Sequence, residues 1–452
     1  MIRTLLLLAA LVAPTTALAD TVIVNGLVHS VSQPPRRANI LIQGERIVEI
    51  SPGIQPSAGD QVIDATDMVI TPGLVDFDTQ VGMVEIWAVD ATNDTDPGDD
   101  PIRSGFRAAD ALNANSTVVP ITRNGGITSV VSHPSGGIFS GQSVWWDLVD
   151  GDPTGPAILT PAVQVLNAGN SGSSAAGGSR GTLMMRLREL FSDVQIYEAD
   201  SGQYRLRERG SLSASVVDLE ALVPVLNGEV PVFARAHRQA DIIGLLNLAD
   251  EYGFRLIIGG STEAWAVAER LADEGVPVVL NPFDNAPSEF EQIGARADAA
   301  AVLAEAGVSI ILTSNETHNV RTLRQLAGNA VRAGLDHEVA LAAITLNPAA
   351  AVGLDSDYGT LEAGKIANIV VWSGDPFELS TQPRHILVHG QEVSMDSRQS
   401  ALFERYRTLE DGVNRLPSHL LEPPSHDQEE GEQSVATGTE PEREQPSPGD
   451  NP

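Results

Sequence analysis

Residues 230–275, VPVFARAHRQADIIGLLNLADEYGFRLIIGGSTEAWAVAERLADEG, contain two successive pairs of a short apolar run and a longer amphipathic segment. The apolar runs VPVFARA and FRLIIGG are nearly continuous, which is typical of parallel strands that are buried on both faces. The segments that follow them, ADIIGLLNLADEYG and TEAWAVAERLADEG, have the apolar spacing of helices. This stretch therefore predicts βα units of a parallel sheet.

The same alternation continues through residues 276–334, where VPVVLNP and VSIILTSN are each followed by a helical pattern. Four successive units with short connections indicate a parallel barrel or a doubly wound sheet. Short strand-like segments with period-two alternation occur near both ends, in residues 21–75 and 358–395. We expect these two distant segments to pair into one small β domain.

A second group of motifs begins at residues 67–82, DMVITPGLVDFDTQVG. This segment resembles the TPGLID-x-HxH element of amidohydrolases such as imidazolonepropionase and exported dipeptidase-like enzymes. Later segments resemble the fifth-, sixth- and eighth-strand elements and the closing sandwich signature of that family. They are PVFARAHRQADI (231–242), FRLIIGGSTEAW (254–265), ILTSNETHNVR (311–321), LNPAAAVGL (346–354) and GTLEAGKIANIVVW (359–372). The resemblance covers nearly all of residues 21–395 and implies a metal-dependent hydrolase of amide or cyclic amide C–N bonds.

The resemblance also implies where metal ligands should lie, and this sequence departs from the pattern at those positions. The two histidines of HxH correspond to Asp78 and Gln80, and the sixth-strand histidine corresponds to Gly260. The fifth-strand histidine corresponds to Arg235, or to His237 if the register shifts by two residues along the strand. A guanidinium cannot bind a cation and a Gln amide is a poor zinc ligand. A single divalent metal such as zinc would therefore depend on Asp78 and His237.

The position of the general base also departs from the family pattern. The Asp that ends the eighth strand of the family corresponds to Asn315, whose amide cannot take a proton. Glu316 would be the base if the alignment shifted by one residue, although an acid at this position commonly caps the next helix or is solvated. His133 and His318 are further candidates for the pocket, and His133 also fits a loop histidine bonded to the backbone. The only lysine, Lys365, lies in the closing segment, so the carboxylated lysine that bridges two metals in many relatives has no equivalent.

The other histidines fall outside these motifs. We expect His337 to begin an outer helix, and we expect the rest to lie in the β domain or near the C-terminal tail. None is expected to take part in the chemistry. The rest are His29, His385, His389, His419 and His426.

Length and the family resemblance together favour a (β/α)8 TIM-like barrel, with a small composite β-sandwich formed by segments from both chain ends. The N-terminal MIRTLLLLAALVAPTTALAD has the early Arg, the apolar run and the Ala-x-Ala ending of a signal peptide, which predicts a periplasmic or secreted protein. The C-terminal residues are rich in Pro, Glu, Ser and Gln, which predicts disorder. The expected segments are a signal peptide (1–19), two parts of the sandwich (20–75 and 351–398), the barrel (76–350), a terminal helical segment (399–420) and an acidic tail (421–452).

The charge of the chain restricts its partners. Of the net charge of −32, the tail contributes nine acidic residues against Arg443 and the signal peptide one Arg, which leaves about −25 on the body. Such a field repels a phosphate backbone and argues against nucleic-acid binding. No later segment approaches the roughly 18 apolar residues of a membrane helix, so no membrane attachment is expected after cleavage. The absence of Cys implies a large core rather than cross-links.

Two functions remain open from the sequence. The first is a hydrolase that acts on C–N bonds with a single or rearranged metal. The second is a non-catalytic protein that binds a small molecule in the barrel pocket or is a partner subunit of an active relative. The sequence leaves homo-oligomer formation open for both functions. In the second case Arg235 faces Asp78 across the pocket and supplies the positive charge of the lost metal. The simultaneous loss of several ligands favours this second hypothesis.

Overall fold

The computed structural model describes residues 19–96, 98–149, 157–199 and 212–407. Most of the expected signal peptide, the expected acidic tail, and His419 and His426 lie outside these ranges. The described residues up to Ser397 belong to one compact unit, and those from Arg398 onward belong to a second. Within the described ranges, no helix combines the length and the apolar character that crossing a bilayer requires.

The N-terminal segment forms five short strands. Their apolar residues face the core in alternation, as in residues 40–43, where Ile40 and Ile42 are buried and Gln43 is exposed. The strands are β1 (Thr21–Val28), β2 (Arg36–Gln43), β3 (Arg46–Ser51), β4 (Gln61–Asp64) and β5 (Val69–Pro72).

The central segment contains ten strands, which form two sheets. A four-stranded sheet has the order β10-β9-β7-β6, and a six-stranded sheet has the order β15-β14-β13-β12-β11-β8. Strands β11 to β15 are all parallel, as the βα repetition predicts. The strands are β6 (Leu74–Thr79), β7 (Ile127–Ser132), β8 (Phe139–Gln142), β9 (Val144–Asp147), β10 (Ala157–Leu159), β11 (Gln164–Asn167), β12 (Val232–Ala236), β13 (Leu256–Gly260), β14 (Val278–Leu280) and β15 (Ile310–Leu312).

Helices cover these sheets and connect the parallel strands. The α-helices are α1 (Val118–Arg123), α2 (Asn170–Ala175), α3 (Arg180–Ala199), α4 (Val216–Leu226), α5 (Gln239–Tyr252), α6 (Ala268–Asp273), α7 (Ala299–Glu305), α8 (Leu323–Arg332), α9 (His337–Ala342), α10 (Leu346–Val352) and α11 (Arg398–Tyr406). Short 3-10 helices cover Asp90–Thr92, Ala108–Ala111, Ala264–Val267, Phe290–Gln292 and Val320–Thr322. Helix α11 covers the first residues of the expected terminal helical segment, and His337 begins α9 as the sequence predicts.

The crossover helix α5 illustrates how the sequence determines these units. Its buried residues Ile242, Leu245, Leu246 and Leu248 form one apolar face against the sheet. The helix ends at Gly253, whose φ of 77° is in the left-handed region that glycine adopts without a steric penalty. The chain then turns directly into β13.

The two chain ends meet in a single sheet. Three C-terminal strands are β16 (Ile369–Trp372), β17 (Pro383–Val388) and β18 (Gln391–Glu392). Strand β16 pairs antiparallel with β5, and the resulting eight-stranded sheet has the order β18-β17-β16-β5-β1-β2-β3, with β4 beside β1. The expected pairing of the chain ends is therefore confirmed. The hydrogen bonds define one branched sheet, so the two-layer sandwich stays a prediction.

In the described residues, the backbone hydrogen bonds divide the central strands between two sheets, so these bonds do not themselves confirm the expected (β/α)8 barrel. The chain changes from one sheet to the other at Ser143, between β8 and β9. On the other side, the Asp76 side chain of β6 links it to the end of β15, because it accepts hydrogen bonds from the Thr313 hydroxyl, the Ser314 hydroxyl and the Ser314 backbone N–H. Burial raises the pKa of Asp76 to about 6, although these donors oppose the shift.

A buried polar cluster connects the eight-stranded sheet to β9. Asp147 is 1% exposed and accepts hydrogen bonds from the Ser129 hydroxyl (2.5 Å), the Tyr358 hydroxyl (2.9 Å) and His389 Nε2 (2.6 Å). The bond to Asp147 raises the pKa of His389 against the opposing effect of burial, and the nearby Glu45 adds to the increase. Burial together with the Asp147 charge holds the pKa of the Tyr358 hydroxyl far above its ordinary value.

The Asp147 cluster should make stability depend on pH through His389. A histidine whose pKa is raised by folding stabilises the protein fully below its unfolded pKa, and this stabilisation is lost as the pH rises through the folded value. We expect the free energy of unfolding to fall more steeply in the wild type than in His389→Gln as the pH rises above the unfolded histidine pKa of about 6.5. Urea unfolding at a series of pH values measures both slopes. Replacing His385 in the same sheet by Gln controls for the loss of a histidine, and equal slopes in wild type and His389→Gln would refute this role.

Candidate functional site

A polar cavity of about 270 Å³ lies where the carboxyl ends of β6 and β12 meet the segment that follows β15. We call it the mouth cavity. It brings together Asp78, Gln80, Arg235, Asn315 and Glu316, which the sequence assigned to the site from three separate motifs. The complete lining is Asp78, Thr79, Gln80, Trp87, Ser135, Arg235, Asn315, Glu316 and Thr317.

An ion pair forms the floor of the mouth cavity. Arg235 Nη2 lies 2.6 Å from Asp78 Oδ1, and Arg235 Nε lies 3.4 Å from the other carboxylate oxygen. The Arg235 guanidinium also lies 5.1 Å from the centre of the Phe233 ring, within cation–π range. Burial alone would raise the pKa of Asp78, but Arg235, together with His133, holds it below its ordinary value. The expectation that Arg235 faces Asp78 is confirmed.

His133 lies behind Asp78 and does not line the cavity. Its imidazole is completely buried, stacks on the Phe233 ring at 4.9 Å, and has Nε2 at 2.6 Å from the Phe77 carbonyl oxygen. Burial lowers the pKa of His133 to about 4, although the Asp78 charge opposes the shift, so the ring is neutral and Nε2–H donates to the carbonyl. Its Nδ1 has no hydrogen-bond partner among the described residues. The alternative of a backbone-bonded histidine therefore describes His133 better than a role in the lining.

His237 lies beside the mouth cavity and not in its lining. Its Nδ1 is 2.7 Å from the Thr262 hydroxyl, and its ring packs over Gly260. A Cβ at position 260 would lie 2.9 Å from imidazole atoms Cε1 and Nε2, and the φ of Gly260 is +73°. Glycine is therefore required at the position where relatives have a metal-binding histidine. Burial raises the pKa of the Asp284 carboxyl, and an electrostatic effect of His237 opposes that increase.

The segment after β15 contributes backbone contacts as well as side chains. The Thr79 hydroxyl donates to the Glu316 carbonyl oxygen at 2.6 Å, which fixes this segment against β6. Asn315 and Glu316 are exposed at the edge of the cavity. His318 lies outside the lining, because its Nε2 is bonded to the Glu85 carbonyl oxygen at 2.8 Å.

Sequence reasoning did not find Trp87, Ser135 and the two threonines of the lining. Trp87 is 51% exposed and lies in the segment that follows β6. A large aromatic residue shortly after the first barrel strand was the available signal. Loop geometry cannot be obtained from residue spacing, so the signal alone could not place Trp87 at the site.

The acidic and imidazole groups of the mouth do not converge on one point. Within the described ranges, three such groups have ligand atoms within 4.8 Å of one another only at His29, His337 and Glu338. These residues follow β1 and begin α9, whereas the mouth lies at the ends of β6 and β12. At the mouth itself, a guanidinium contacts the Asp78 carboxylate.

Comparison with known proteins identifies the fold. The sequence profile of the Amidohydrolase family matches residues 242–402. The structure of an amidohydrolase from Thermotoga maritima MSB8 matches 83% of this chain and 99% of its own length, with a TM-score of 0.76 and 25% identity. The chain belongs to the amidohydrolase superfamily. The match implies a TIM-barrel-type arrangement of its α/β sheets.

Two curated relatives in this superfamily match parts of the chain. Amidohydrolase tasK from Hapsidospora irregularis is 24% identical over 359 residues, which are 73% of this chain and 37% of tasK. Imidazolonepropionase from Pseudomonas paraeruginosa is 42% identical over 65 residues, which are 13% of this chain and 16% of that enzyme. The chain thus covers little more than a third of tasK and about a sixth of the imidazolonepropionase.

Removing the positive charge of Arg235 from the mouth of this amidohydrolase-superfamily protein should destabilise it in a pH-dependent way. In the wild type, the lowered pKa of Asp78 contributes stability above its unfolded pKa, and this contribution is lost as the pH falls through the folded value. Arg235→Met leaves the buried carboxylate without a counter-charge. We expect a loss of up to about 3 kcal/mol at neutral pH, the lower end for breaking a buried pair, because Arg235 is 27% exposed.

The loss should shrink towards acidic pH, where Asp78 becomes protonated in the variant. Urea unfolding at pH 7 and pH 5 measures it, with the double variant Asp78→Asn, Arg235→Met as the matched control that removes both charges. A double variant that is less stable than Arg235→Met would contradict the assignment of the cost to an unpaired carboxylate.

Proposed function

We propose that this amidohydrolase-superfamily protein binds a small amide or cyclic amide in the mouth cavity, without a metal at the position implied by the family. The Asp78–Arg235 pair carries this proposal. A divalent cation that approached Asp78 would meet a guanidinium whose Nη2 lies 2.6 Å from that carboxylate. The two positive charges would repel each other in a partly buried site where water screens them weakly.

The other positions where the family resemblance implies a metal ligand or a general base also argue against a metal at the mouth. An open catalytic zinc site normally has three protein ligands. His133 uses Nε2 for the Phe77 carbonyl, and position 260 has no side chain to contribute. Asn315 has an amide where the family has a carboxylate, so it cannot act as the general base. We therefore derive no step of a reaction through a metal at the mouth.

The lining favours a ligand that both donates and accepts hydrogen bonds. Gln80 and Asn315 each offer an amide, and Ser135 and two threonines offer hydroxyl groups. The half-exposed Trp87 provides a flat apolar surface against which a planar amide group can pack. A volume of about 270 Å³ is at or below the lower end for ligand sites, so the ligand should be small. We further propose that binding takes place outside the cytoplasm, because the N-terminal sequence has the features of a signal peptide.

Hydrolysis of a C–N bond is the second function that the superfamily supports. For this function, the family resemblance gives Asp78 and His237 as the candidate ligands of a single cation, which would require rearrangement of Arg235. The two functions differ in their dependence on metal. A non-catalytic binding protein retains its ligand unchanged in a chelator, whereas a hydrolase requires metal and releases a product.

Ligand binding can be tested with a panel of hydantoins, dihydropyrimidines and N-acetyl amino acids. We expect at least one compound to raise the Tm of the wild-type protein, equally with and without EDTA, because a ligand that binds only the folded state stabilises it. Gln80→Ala should lower the affinity for that compound by about tenfold, since a polar group left without its hydrogen-bond partner costs about 1–3 kcal/mol. Gln61→Ala on strand β4 is the matched control. Zinc-dependent hydrolysis of an amide bond in any compound, by ring opening or by release of an amine, would overturn the proposal in favour of hydrolysis.

The assignment of the metal positions has a separate test. The double variant Gln80→His, Arg235→His restores two imidazoles at the mouth and removes the competing cation. We expect it to bind one more zinc equivalent than the wild type, measured by elemental analysis after dialysis. Gln80→Asn with Arg235→Gln is the control for the same two positions without imidazole. No additional zinc would mean that the fifth-strand register is wrong and that His237 occupies the ligand position.

A further inference from the structure

Two histidines that are distant in the sequence contact one carboxylate away from the mouth cavity. Glu338 Oε1 lies 3.2 Å from His29 Nδ1 and 3.5 Å from His337 Nδ1. One ligand atom from each of the three side chains lies within 4.8 Å of the other two. Ligands about 2.0–2.1 Å from a tetrahedral zinc are about 3.3–3.4 Å apart. Two of the three separations already match this geometry, and the third is no longer than 4.8 Å.

A carboxylate behind His337 completes the arrangement. His337 Nε2 lies 2.9 Å from Asp375 Oδ2, and the other Asp375 oxygen accepts the Phe377 backbone N–H at 2.9 Å. Histidines that bind metals usually donate their second ring N–H to a carboxylate in this way, which orients the ring and strengthens the ligand. The bond to Asp375 leaves Nδ1 of His337 directed towards Glu338.

The backbone holds these side chains in place before any ion binds. Asp336 accepts hydrogen bonds from the backbone N–H groups of Glu338 (2.9 Å) and Val339 (3.2 Å), and so fixes the start of helix α9. The backbone N–H of His29 donates to the Ile70 carbonyl oxygen at 2.9 Å, directly after strand β1. The ligands therefore lie at the start of a helix and next to the end of a strand, which favours a defined geometry.

The charge and exposure of the cluster also suit a cation. Glu338 and Asp375 provide two carboxylates next to two imidazoles, and no Lys or Arg side chain is recorded in an ion pair with either carboxylate in the described part of the chain. The side chains of His29, His337 and Glu338 are 13%, 31% and 41% exposed, so an ion and a water molecule as fourth ligand can reach them. The mouth differs, because Arg235 there already neutralises the carboxylate.

We propose that His29, His337 and Glu338 form a zinc site, with Asp375 as the positioning residue behind His337 and water as the fourth ligand. The bound ion would connect the end of β1 to the start of α9, two segments that lie more than 300 residues apart. Its role is structural: it stabilises the folded chain in proportion to the occupancy of the site. The site is independent of the ligand proposed for the mouth cavity.

Zinc titration of the full-length protein after EDTA treatment and dialysis tests this site. We expect calorimetry to show one zinc equivalent and the Tm to rise with zinc. We expect His29→Gln and Glu338→Gln each to lower the zinc affinity at least tenfold. Asp375→Asn should lower it by about 10–100-fold, the usual cost of losing the carboxylate behind a ligand histidine. Cobalt in place of zinc should give the visible absorption of four-coordinate Co²⁺, and Asp375→Asn should alter that spectrum.

Two controls separate this site from other histidines. His385→Gln removes a histidine that contacts Glu392 at 2.6 Å in the same sheet, and it should keep the wild-type zinc affinity. His237→Gln should also keep it, because His237 lies beside the mouth. Absence of zinc binding by the wild type, unchanged affinity in both His29→Gln and Glu338→Gln, or loss of zinc in His237→Gln would each overturn the proposal. If a variant fails to fold, the cobalt spectrum of the wild type still decides whether a four-coordinate site exists.

Discussion

A buried carboxylate must be hydrogen-bonded or paired with a positive charge, and this requirement explains three key positions of the molecule. Asp76 is satisfied by hydroxyl groups and a backbone N–H, which links the edge of one central sheet to the end of the other. Asp147 is satisfied by a serine, a tyrosine and a histidine, which connects β9 to the eight-stranded sheet. Asp78 is satisfied by Arg235, and this choice determines the chemistry of the mouth.

Under the proposed function, the Asp78–Arg235 pair would let the superfamily fold persist without a metal at the mouth. A divalent ion in such a barrel neutralises the acids at the strand ends, and its loss alone would leave them buried and unpaired. A guanidinium from the fifth-strand motif supplies that charge from within the chain. Gly260 then leaves room for the His237 ring beside the mouth. The mouth cavity remains polar, which is consistent with the proposed binding of a small amide.

The sequence predicted the elements that depend on local periodicity and on pairs of motifs. The parallel run from β11 to β15 follows from continuous apolar segments, and the pairing of β5 with β16 follows from alternation at both chain ends. The contact between Arg235 and Asp78 was predicted because both residues align with family positions that bind the same metal. What remained hidden depends on three-dimensional packing: the complete burial of His133, the contact of His318 with Glu85, and the separation of the central strands into two sheets. His29 and His337 were assigned no chemistry because nothing in a linear sequence brings two residues so distant together.

The junction of β5 with β16 places the last strands of the sheet beside strands that are synthesised about 300 residues earlier. When the N-terminal strands leave the ribosome, the β5 edge is unpaired, and it stays so until about 300 further residues have followed. A non-local pairing of this kind forms slowly, since a long loop must close first. Until β16 is made, a nascent chain therefore carries an unpaired strand edge that can pair with other chains. A chaperone that shields this edge would suppress aggregation more effectively than one that acts on the folded domain.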